Sequence, residues 1–214
     1  MSPPTGDTAL LARQWRPAIL SVLLLTLIAG GAFPVALFGI AGALFPYQRS
    51  GSLLLHDGAV VGSSLIAQGF TGVEWFHPRP SAAGSGYDGT ASAGTNLGPN
   101  NPRLKDGADA FLGVRALAAQ YRRDNGLSAD TPIPIDAVTR SASGLDPHIS
   151  PANAYLQAAR VAGARGLAEA ALRALVAAHV RGPQLGFLGE PRVSVLELNL
   201  ALARIQRGTV PVSR

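Results

Sequence analysis

The hydrophobic and polar positions divide the 214-residue chain into an apolar N-terminal segment and a longer segment of mixed character. Residues 18–45 contain no charged side chain. As an α-helix this stretch is about 42 Å long, which exceeds the roughly 30 Å hydrocarbon core of a bilayer. The pattern therefore predicts one transmembrane helix near the N-terminus.

A cleaved signal peptide is the alternative interpretation of this segment. Ala41, Gly42 and Ala43 match the small-x-small pattern of a cleavage site. The apolar region of a signal peptide is about 7 to 15 residues, however, which is roughly half of what the chain has here. A retained membrane anchor is the interpretation that the length favours.

The charges that flank the apolar segment predict its orientation. Arg13 and Arg16 precede it, whereas Arg49 is the only arginine or lysine in the 30 residues that follow it. Because cytoplasmic flanks carry the excess of basic residues, we expect the N-terminus in the cytoplasm. Three regions result, listed here: a cytoplasmic N-terminus at 1–17, the transmembrane helix at 18–45 and an external domain at 46–214.

Pro34 lies near the middle of the apolar segment and is expected to kink the helix, because proline lacks the backbone N–H group. Small residues at helical spacing surround it: Ala32, Ala36, Gly39 and Ala43. Such residues let a second membrane helix approach closely. A tolerated kink in a simple tether is the other interpretation, and these residues leave both open.

The external part begins with signals for strands and stiff loops. Asp57-Gly58 between two β-rich runs at 51–64 predicts a hairpin. Two prolines within residues 73–81 predict an extended loop that presents Trp75, Phe76, His77 and Arg79 to the surface. Residues 84–102 are rich in glycine, which fits either a flexible linker or an ordered loop, and their spacing matches no nucleotide-binding motif.

Helical periodicity dominates the rest of the chain. We expect a helix over residues 102–125, a short edge strand at 133–139, a helix from the N-cap Ser150 to about residue 164, and another at 167–180. Residues 196–202 fit a strand or a helix. The fold class is therefore mixed α/β (α+β): a transmembrane helix followed by one external domain with short strands, a hairpin and about three to four helices.

Composition excludes several functional classes. The net charge is +5, but the arginines are scattered without a basic cluster, so the sequence does not indicate nucleic-acid binding. The chain has no cysteine, which rules out disulfides and thiolate chemistry.

The stretch SGLDPHISP at 143–151 contains the residue types of a hydrolase or a metal site. Ser143 and His148 with Asp146, or with Asp136, would form a serine triad in an anchored external hydrolase. Asp146 and His148 are only two residues apart across a proline, and no Gly-x-Ser-x-Gly motif is present. A metal site formed by His77, Asp146 and His148 lacks a close ligand pair of recognised spacing.

Several separated motifs together resemble one family, KdpC, the C subunit of the bacterial Kdp potassium-transporting P-type ATPase. They occur in order from about residue 16 to 205: Arg16-Pro17, Pro34, Phe45-Pro46, FHPRPS at 76–81, NLGP at 96–99, SGLDPHISP at 143–151, GFLGEPRV at 186–193 and LNLAL at 198–202. The sequence departs from the family pattern at Phe33, Arg140, Ala142 and Ser194.

The resemblance implies a noncatalytic accessory subunit of an ATP-driven potassium pump in the bacterial inner membrane, with a role in assembly and a possible effect on ATP affinity or potassium access. Its implied partners are a channel-like subunit, the P-type catalytic subunit and a small membrane subunit. No cofactor is expected in this chain, whereas ATP, Mg²⁺ and K⁺ belong to the complex. Consistently, the chain has no Asp-Lys-Thr-Gly phosphorylation motif.

The stiff loops at 76–81, 96–99, 144–150 and 189–192 are the expected functional surface. Acids there could attract cations and arginines could pair with them or with a partner subunit. The candidate interface or loop-organising residues are His77, Arg79, Asn96, Asp146, His148, Ser150, Glu190 and Arg192.

Overall fold

A computed structural model describes residues 6–206. Residues 1–5 of the expected cytoplasmic segment and residues 207–214 of the expected external domain lie outside the described residues. The chain divides into two compact units, residues 1–52 and residues 53–214.

The first unit is mainly one long helix, formed by α1 (Gly6–Leu27), a π-helical turn (Ile28–Ala32) and α2 (Phe33–Leu44). Within the described part of the chain, Arg13–Leu44 is the one helix that has the length and the apolar composition to cross a membrane. A short helix, α3 (Pro46–Arg49), follows it.

The π-helical turn ends at Ala32, two residues before Pro34. In this turn the N–H of Phe33 donates to the carbonyl of Ile28, five residues earlier. Proline provides no N–H and its ring crowds the carbonyl four residues before it, and a wider turn at this point relieves that crowding. The bend itself stays a prediction.

The second unit begins with the predicted hairpin, which the structure confirms. Strands β1 (Leu53–His56) and β2 (Ala59–Ser63) are antiparallel. The turn residues Asp57 and Gly58 have φ values of 52° and 80°. Two consecutive left-handed residues produce the turn twist that suits a two-residue hairpin, which is why Asp-Gly is favoured there.

The main core lies in the C-terminal half of the second unit. Strands β3 (His148–Ile149), β4 (Val180–Arg181) and β5 (Arg192–Ser194) form an antiparallel sheet in the order β3-β5-β4. Three helices, α6 (Pro151–Arg165), α7 (Glu169–His179) and α8 (Val195–Gln206), pack their apolar faces with this sheet. The mixed α/β class is confirmed, and residues 196–202 are helical.

The continuous helix predicted over residues 102–125 is wrong. The structure has α4 (Pro102–Asp106) and α5 (Val114–Asp124), separated by a tight loop. Gly107 has φ +86°, and a Cβ on Gly113 would lie 2.3 Å from the Gly107 nitrogen. Because the two glycine backbones touch, the chain leaves the helix at Gly107 and starts a new one after Gly113.

The edge strand predicted at 133–139 is also wrong, since a 3-10 helix (Ile135–Ala137) occupies its centre. Pro132 and Pro134 supply no N–H groups to a sheet ladder. The predicted helix after Ser150 is confirmed, and Ser150 caps α6 by accepting from the N–H of Asn153 at 3.1 Å.

Candidate functional site

The loop at 76–81 is anchored in the core of the second unit by its first residue, and its other residues are partly exposed. The sequence pattern predicts an exposed Phe76, but its side chain is fully buried in the core formed by α6, α7, α8 and the sheet. His77 and Arg79 are half-buried. The prediction of an exposed loop is therefore wrong at Phe76, because the core formed by the C-terminal half of the chain encloses this ring.

Two buried carboxamides fix the backbone at the start of this loop. The side chain of Asn199 on α8 accepts from the Phe76 N–H and donates to the Phe76 carbonyl, both at 2.9 Å. The side chain of Gln157 on α6 accepts from the His77 N–H at 2.7 Å and donates to the His77 carbonyl at 3.1 Å. Each amide group pairs with the extended backbone as a neighbouring strand would.

The His77 ring faces back towards its own segment. Its Nε2 lies 2.9 Å from the carbonyl oxygen of Gly72. Since a carbonyl only accepts, Nε2 carries the proton in this contact. Burial lowers the pKa of His77 below its usual value, which outweighs the raising effect of the Gly72 carbonyl. The ring is therefore neutral at pH 7 and serves as a hydrogen-bond donor.

Arg79 and Asp146 form the ion pair that joins the loop at 76–81 to SGLDPHISP. Arg79 Nη1 donates to Asp146 Oδ2 at 2.9 Å, and Arg79 also reaches the carbonyl and hydroxyl of Thr139 at 3.4 Å each. The side chains of Arg79 and Asp146 are 23% and 31% exposed. The charge of Asp146 is thus balanced within the chain.

His148 completes this cluster from β3. Its backbone N–H donates to Asp146 Oδ1 at 3.0 Å, and its Nδ1 lies 3.5 Å from the same oxygen. Burial tends to raise the pKa of Asp146, but the hydrogen bonds from His148 and Arg79 together lower it below the usual value. Asp146 is therefore ionised at neutral pH and acts as an acceptor for both neighbours.

Gly144 brings a third segment into contact with the two loops. The hydroxyl of Ser81 donates to the Gly144 carbonyl at 2.6 Å. Gly144 has φ +68°, and a Cβ there would lie 2.6 Å from the carbonyl oxygen of Ala93 and 2.7 Å from the nitrogen of Ala83. Glycine is required at this position for both reasons.

The glycine-rich segment at 84–102 packs against SGLDPHISP, as expected of an ordered loop rather than a free linker. The N–H of Ala93 and the hydroxyl of Ser92 both donate to the Ser143 carbonyl at 3.0 Å. Tyr87 donates its hydroxyl to the Arg79 carbonyl at 2.8 Å, and burial raises the pKa of Tyr87 to about 12. The hydroxyl therefore stays protonated as a donor.

Asp136 organises the entry to α6. Its carboxylate accepts from the N–H and the hydroxyl of Ser150, each at 2.8 Å, and from the side chain of Asn153 at 2.9 Å. Asn153 also accepts from the hydroxyl of Tyr121 at 2.8 Å. Burial, followed by the charge of Asp136, raises the pKa of Tyr121. These bonds connect α5, the 3-10 helix and α6.

The buried polar residues Asn153, Gln157 and Asn199 are organising residues that the sequence interpretation misses. Gln157 follows Asn153 by one helical turn and donates to it at 2.9 Å. Both are 1% exposed, as is Asn199. The sequence signal that identifies such residues is an amide side chain at a core position of an otherwise apolar helical stripe. A buried amide needs a hydrogen-bond partner, so it indicates a polar contact inside the core.

The three residues of the hydrolase hypothesis do not form a connected triad. Ser143 Oγ accepts from the N–H of Leu145 at 3.1 Å and lies 3.5 Å from Ser141 Oγ, and no hydrogen bond to His148 is present among the described residues. Asp136 bonds to Ser150 and Asn153 instead. Within residues 6–206 no group of three His, Cys, Asp or Glu side chains is placed to hold a metal.

The remaining candidate residues, Asn96, Glu190 and Arg192, make no side-chain hydrogen bond or ion pair with the cluster of Arg79, Asp146 and His148 in the described part of the chain. Asn96 is exposed and has φ 53°. Glu190 is exposed and Arg192 is half-buried. The side chains of Glu190 and Arg192 make no hydrogen bond or ion pair with any other described residue, so their charges are available to a partner.

Comparisons with known proteins agree with the motifs. The family model described as "KdpC: K+-transporting ATPase, c chain" matches residues 15–204. A protein of Caulobacter vibrioides named potassium-transporting ATPase KdpC subunit is 53% identical over 188 residues, covering 87% of this chain and 91% of that protein. A protein of the same name from Mycobacterium tuberculosis is 48% identical over 193 residues, covering 90% and 99%. A third, from Cereibacter sphaeroides, is 51% identical over 187 residues, covering 87% and 95%.

Proposed function

Because the chain belongs to the KdpC family of K⁺-transporting ATPase subunits, we propose that it is a noncatalytic subunit that supports assembly and stability of the potassium pump. The observation that carries the noncatalytic role is the use of Asp146 and His148 within the fold. Asp146 is bound by Arg79 and His148, and neither acid nor imidazole contacts Ser143. These groups hold a loop in place, which suits a docking domain.

The docking surface in this proposal includes residues 189–192. Glu190 and Arg192 carry opposite charges and have no partner among the described residues. They lie in or beside β5, the central strand of the three-stranded sheet, which gives them a rigid support. An interface charge on a fixed element loses little conformational entropy when it pairs with another subunit.

The proposed location is the bacterial inner membrane, with residues 1–17 in the cytoplasm, the helix at 18–45 across the bilayer and residues 46–214 outside. The partners would be the channel-like subunit, the P-type catalytic subunit and the small membrane subunit. ATP, Mg²⁺ and K⁺ act on the complex. In this topology an effect on ATP affinity has to reach the cytoplasm through the membrane helices or through stabilisation of the complex.

Deletion of the chain tests the functional proposal. In a cell that depends on high-affinity potassium uptake, its loss should abolish growth at low potassium and copurification of the other subunits. Restoring the chain should restore both. Normal growth without the chain, together with ester hydrolysis by the purified protein, would instead favour the hydrolase hypothesis.

A paired set of variants tests the docking surface. Glu190→Gln with Arg192→Gln should reduce the yield of the copurified complex, because both charges lose their subunit partners. Asp106→Asn with Arg115→Gln removes one exposed ion pair, at 2.6 Å, and is the matched control. Equal yields for the two double variants would show that residues 189–192 are not an interface.

Protease treatment of intact spheroplasts tests the orientation. Residues 46–214 should be digested, whereas an epitope at the N-terminus should be protected. The opposite pattern would contradict the proposed topology. Pro34→Ala addresses the membrane helix separately: weaker retention in the complex is expected, and unchanged retention would mean that the π-helical turn is not needed for partner contact.

A further inference from the structure

A cavity with a mixed apolar and polar lining lies between the glycine-rich segment, α4 and the chain before SGLDPHISP. Its volume is about 320 Å³. It is lined by residues 94–97, Leu104 and residues 139–142, which include Thr95, Asn96 and Arg140. No carboxylate is among them, and Arg140 supplies the one formal charge. Arg140 is thus the one charged residue in a lining that also contains hydroxyl, amide and apolar side chains.

Arg140 has no counter-ion in the described part of the chain. Its guanidinium lies 4.4 Å from the centre of the Phe111 ring, and Nη1 reaches the carbonyl of Leu112 at 3.4 Å. That is its one side-chain hydrogen bond within residues 6–206. Arginine has five N–H donors, so most of its donor capacity is available to another group.

The half-buried position of Arg140 carries a desolvation cost that no carboxylate in the described fold offsets. Burial lowers the pKa of Arg140, and no acidic group counters this effect. Two other half-buried arginines have polar partners: Arg79 bonds to Asp146, and Arg160 bonds to Asn125 and Gln157.

The neighbours of Arg140 add donors in the same cavity. The side chains of Thr95 and Asn96 make no hydrogen bond with any other described residue. Asn96 has φ 53°, a left-handed conformation that asparagine tolerates better than most residues. Thr95, Asn96 and Arg140 therefore line one cavity. Their side chains carry a hydroxyl, an amide and a guanidinium, which are donor types that bind carboxylate or phosphate oxygens.

We propose that this cavity is a binding site for a single small oxyanion of the carboxylate or phosphate class, with Arg140 as its principal ligand and Thr95 and Asn96 as additional donors. Phe111 holds the guanidinium by stacking. The oxyanion comes either from solution, as phosphate does, or from an acidic side chain of another subunit. The chemistry at Arg140 is the same in both cases.

The first experiment uses the full chain in detergent at low ionic strength. Inorganic phosphate and acetate are titrated by calorimetry, with chloride as the reference anion. Arg140→Gln should weaken phosphate binding roughly tenfold or more, since a bidentate charge-assisted contact is lost. Arg140→Lys, which keeps the charge but lacks the planar fork, should give an intermediate affinity.

Arg123→Gln is the matched control, because it removes one exposed arginine of α5 that lies outside the cavity. It should leave phosphate binding unchanged. Unfolding midpoints of all three variants are measured alongside, and Arg140→Lys provides the comparison if Arg140→Gln does not fold.

The second experiment identifies the source of the oxyanion. Modification of Arg140 by phenylglyoxal is followed in the isolated chain and in the purified complex. Slower modification in the complex would identify a carboxylate of another subunit. Equal rates, with phosphate binding to the isolated chain, would identify a soluble anion. The proposal is overturned if Arg140→Gln leaves phosphate and acetate binding unchanged and Arg140 reacts equally in both preparations.

Discussion

Asn199 and Phe76 are 123 residues apart in the chain, yet the carboxamide of Asn199 pairs with both backbone polar groups of Phe76. One residue thereby satisfies the N–H and the carbonyl of a loop that enters the core without a neighbouring strand. The Phe76 ring can be buried only because its backbone is paired in this way.

Asn199→Ala should therefore destabilise the second unit by about 2–4 kcal/mol, because it leaves two buried backbone groups unpaired. The free energy of unfolding of the full chain in detergent, measured by chemical denaturation, tests this. Asn100→Ala, at an exposed position with no side-chain hydrogen bond to another described residue, is the control and should change stability little. Equal stability of the two variants would contradict the role given to Asn199.

The contact at Gly144 leads to a second prediction. Gly144→Ala should lower the free energy of unfolding by about 3 kcal/mol or more. The added methyl group would have to displace the Ala93 carbonyl, and the alanine backbone would have to adopt an unfavourable positive φ. Gly166 has a similar φ of 64°, but a Cβ added there would meet no atom within 4 Å, so Gly166→Ala should cost about 1 kcal/mol. The two unfolding free energies separate packing from backbone strain. A smaller loss for Gly144→Ala than for Gly166→Ala would refute the close approach.

Asp146 predicts a pH dependence of stability. Its pKa is lowered on folding, so its stabilising contribution is present above the unfolded pKa of roughly 3.9 and is lost as the pH falls through the folded value. Asp146→Asn should be less stable than the parent chain by about 1–2 kcal/mol at pH 7, and the difference should shrink below about pH 4.

Denaturation curves between pH 7 and pH 2 test this prediction. Asp106→Asn, which removes one member of an exposed ion pair, should change stability at neutral pH by less than about 1 kcal/mol. A stability difference for Asp146→Asn that stays constant down to pH 2 would mean that Asp146 does not titrate with folding.

Ser194 is a position at which a substitution should increase stability. It is 3% exposed and its Oγ has no hydrogen-bond partner among the described residues. Ser194→Ala removes this unpaired hydroxyl and should raise the free energy of unfolding by up to about 1 kcal/mol. Ser150→Ala is the contrasting variant, because the Ser150 hydroxyl bonds to both Asp136 and Asn153, and it should be destabilising. A loss of stability on Ser194→Ala would indicate that the hydroxyl has a partner.

Local sequence signals correctly predict those elements whose deciding contacts lie within a few residues of each other. Asp57-Gly58 specifies its own turn, and Ser150-Pro151 specifies a helix start, because in each case the deciding contacts lie within a few residues. The ion pair between Glu169 and Arg173, at 2.8 Å, is similarly local.

The errors at 102–125 and 133–139 follow from glycines and prolines in or beside those segments, whereas the errors at Phe76 and Asp136 concern contacts with residues farther along the chain. Phe76 lies beside two prolines in a stretch that has the pattern of an exposed loop, but its position is set by Asn199 and the core of the C-terminal half. The sequence pattern places Asp136 in a strand. In the structure Asp136 lies in the 3-10 helix, and its carboxylate accepts hydrogen bonds from Ser150 and Asn153. The sequence contains several acidic residues with which Arg79 could pair, and Asp146, 67 residues later, is only one of them.

The π-helical turn before Pro34 has a consequence for the direction of side chains. An α-helix advances by about 100° per residue, so one additional residue in a turn rotates everything after it by about that angle relative to an uninterrupted helix. The faces presented by residues 13–27 and by Phe33–Leu44 are therefore out of phase. A neighbouring helix that follows one face along the first half meets a different face in the second. This single helix is consequently suited to contact two different neighbours, one in each half of its length.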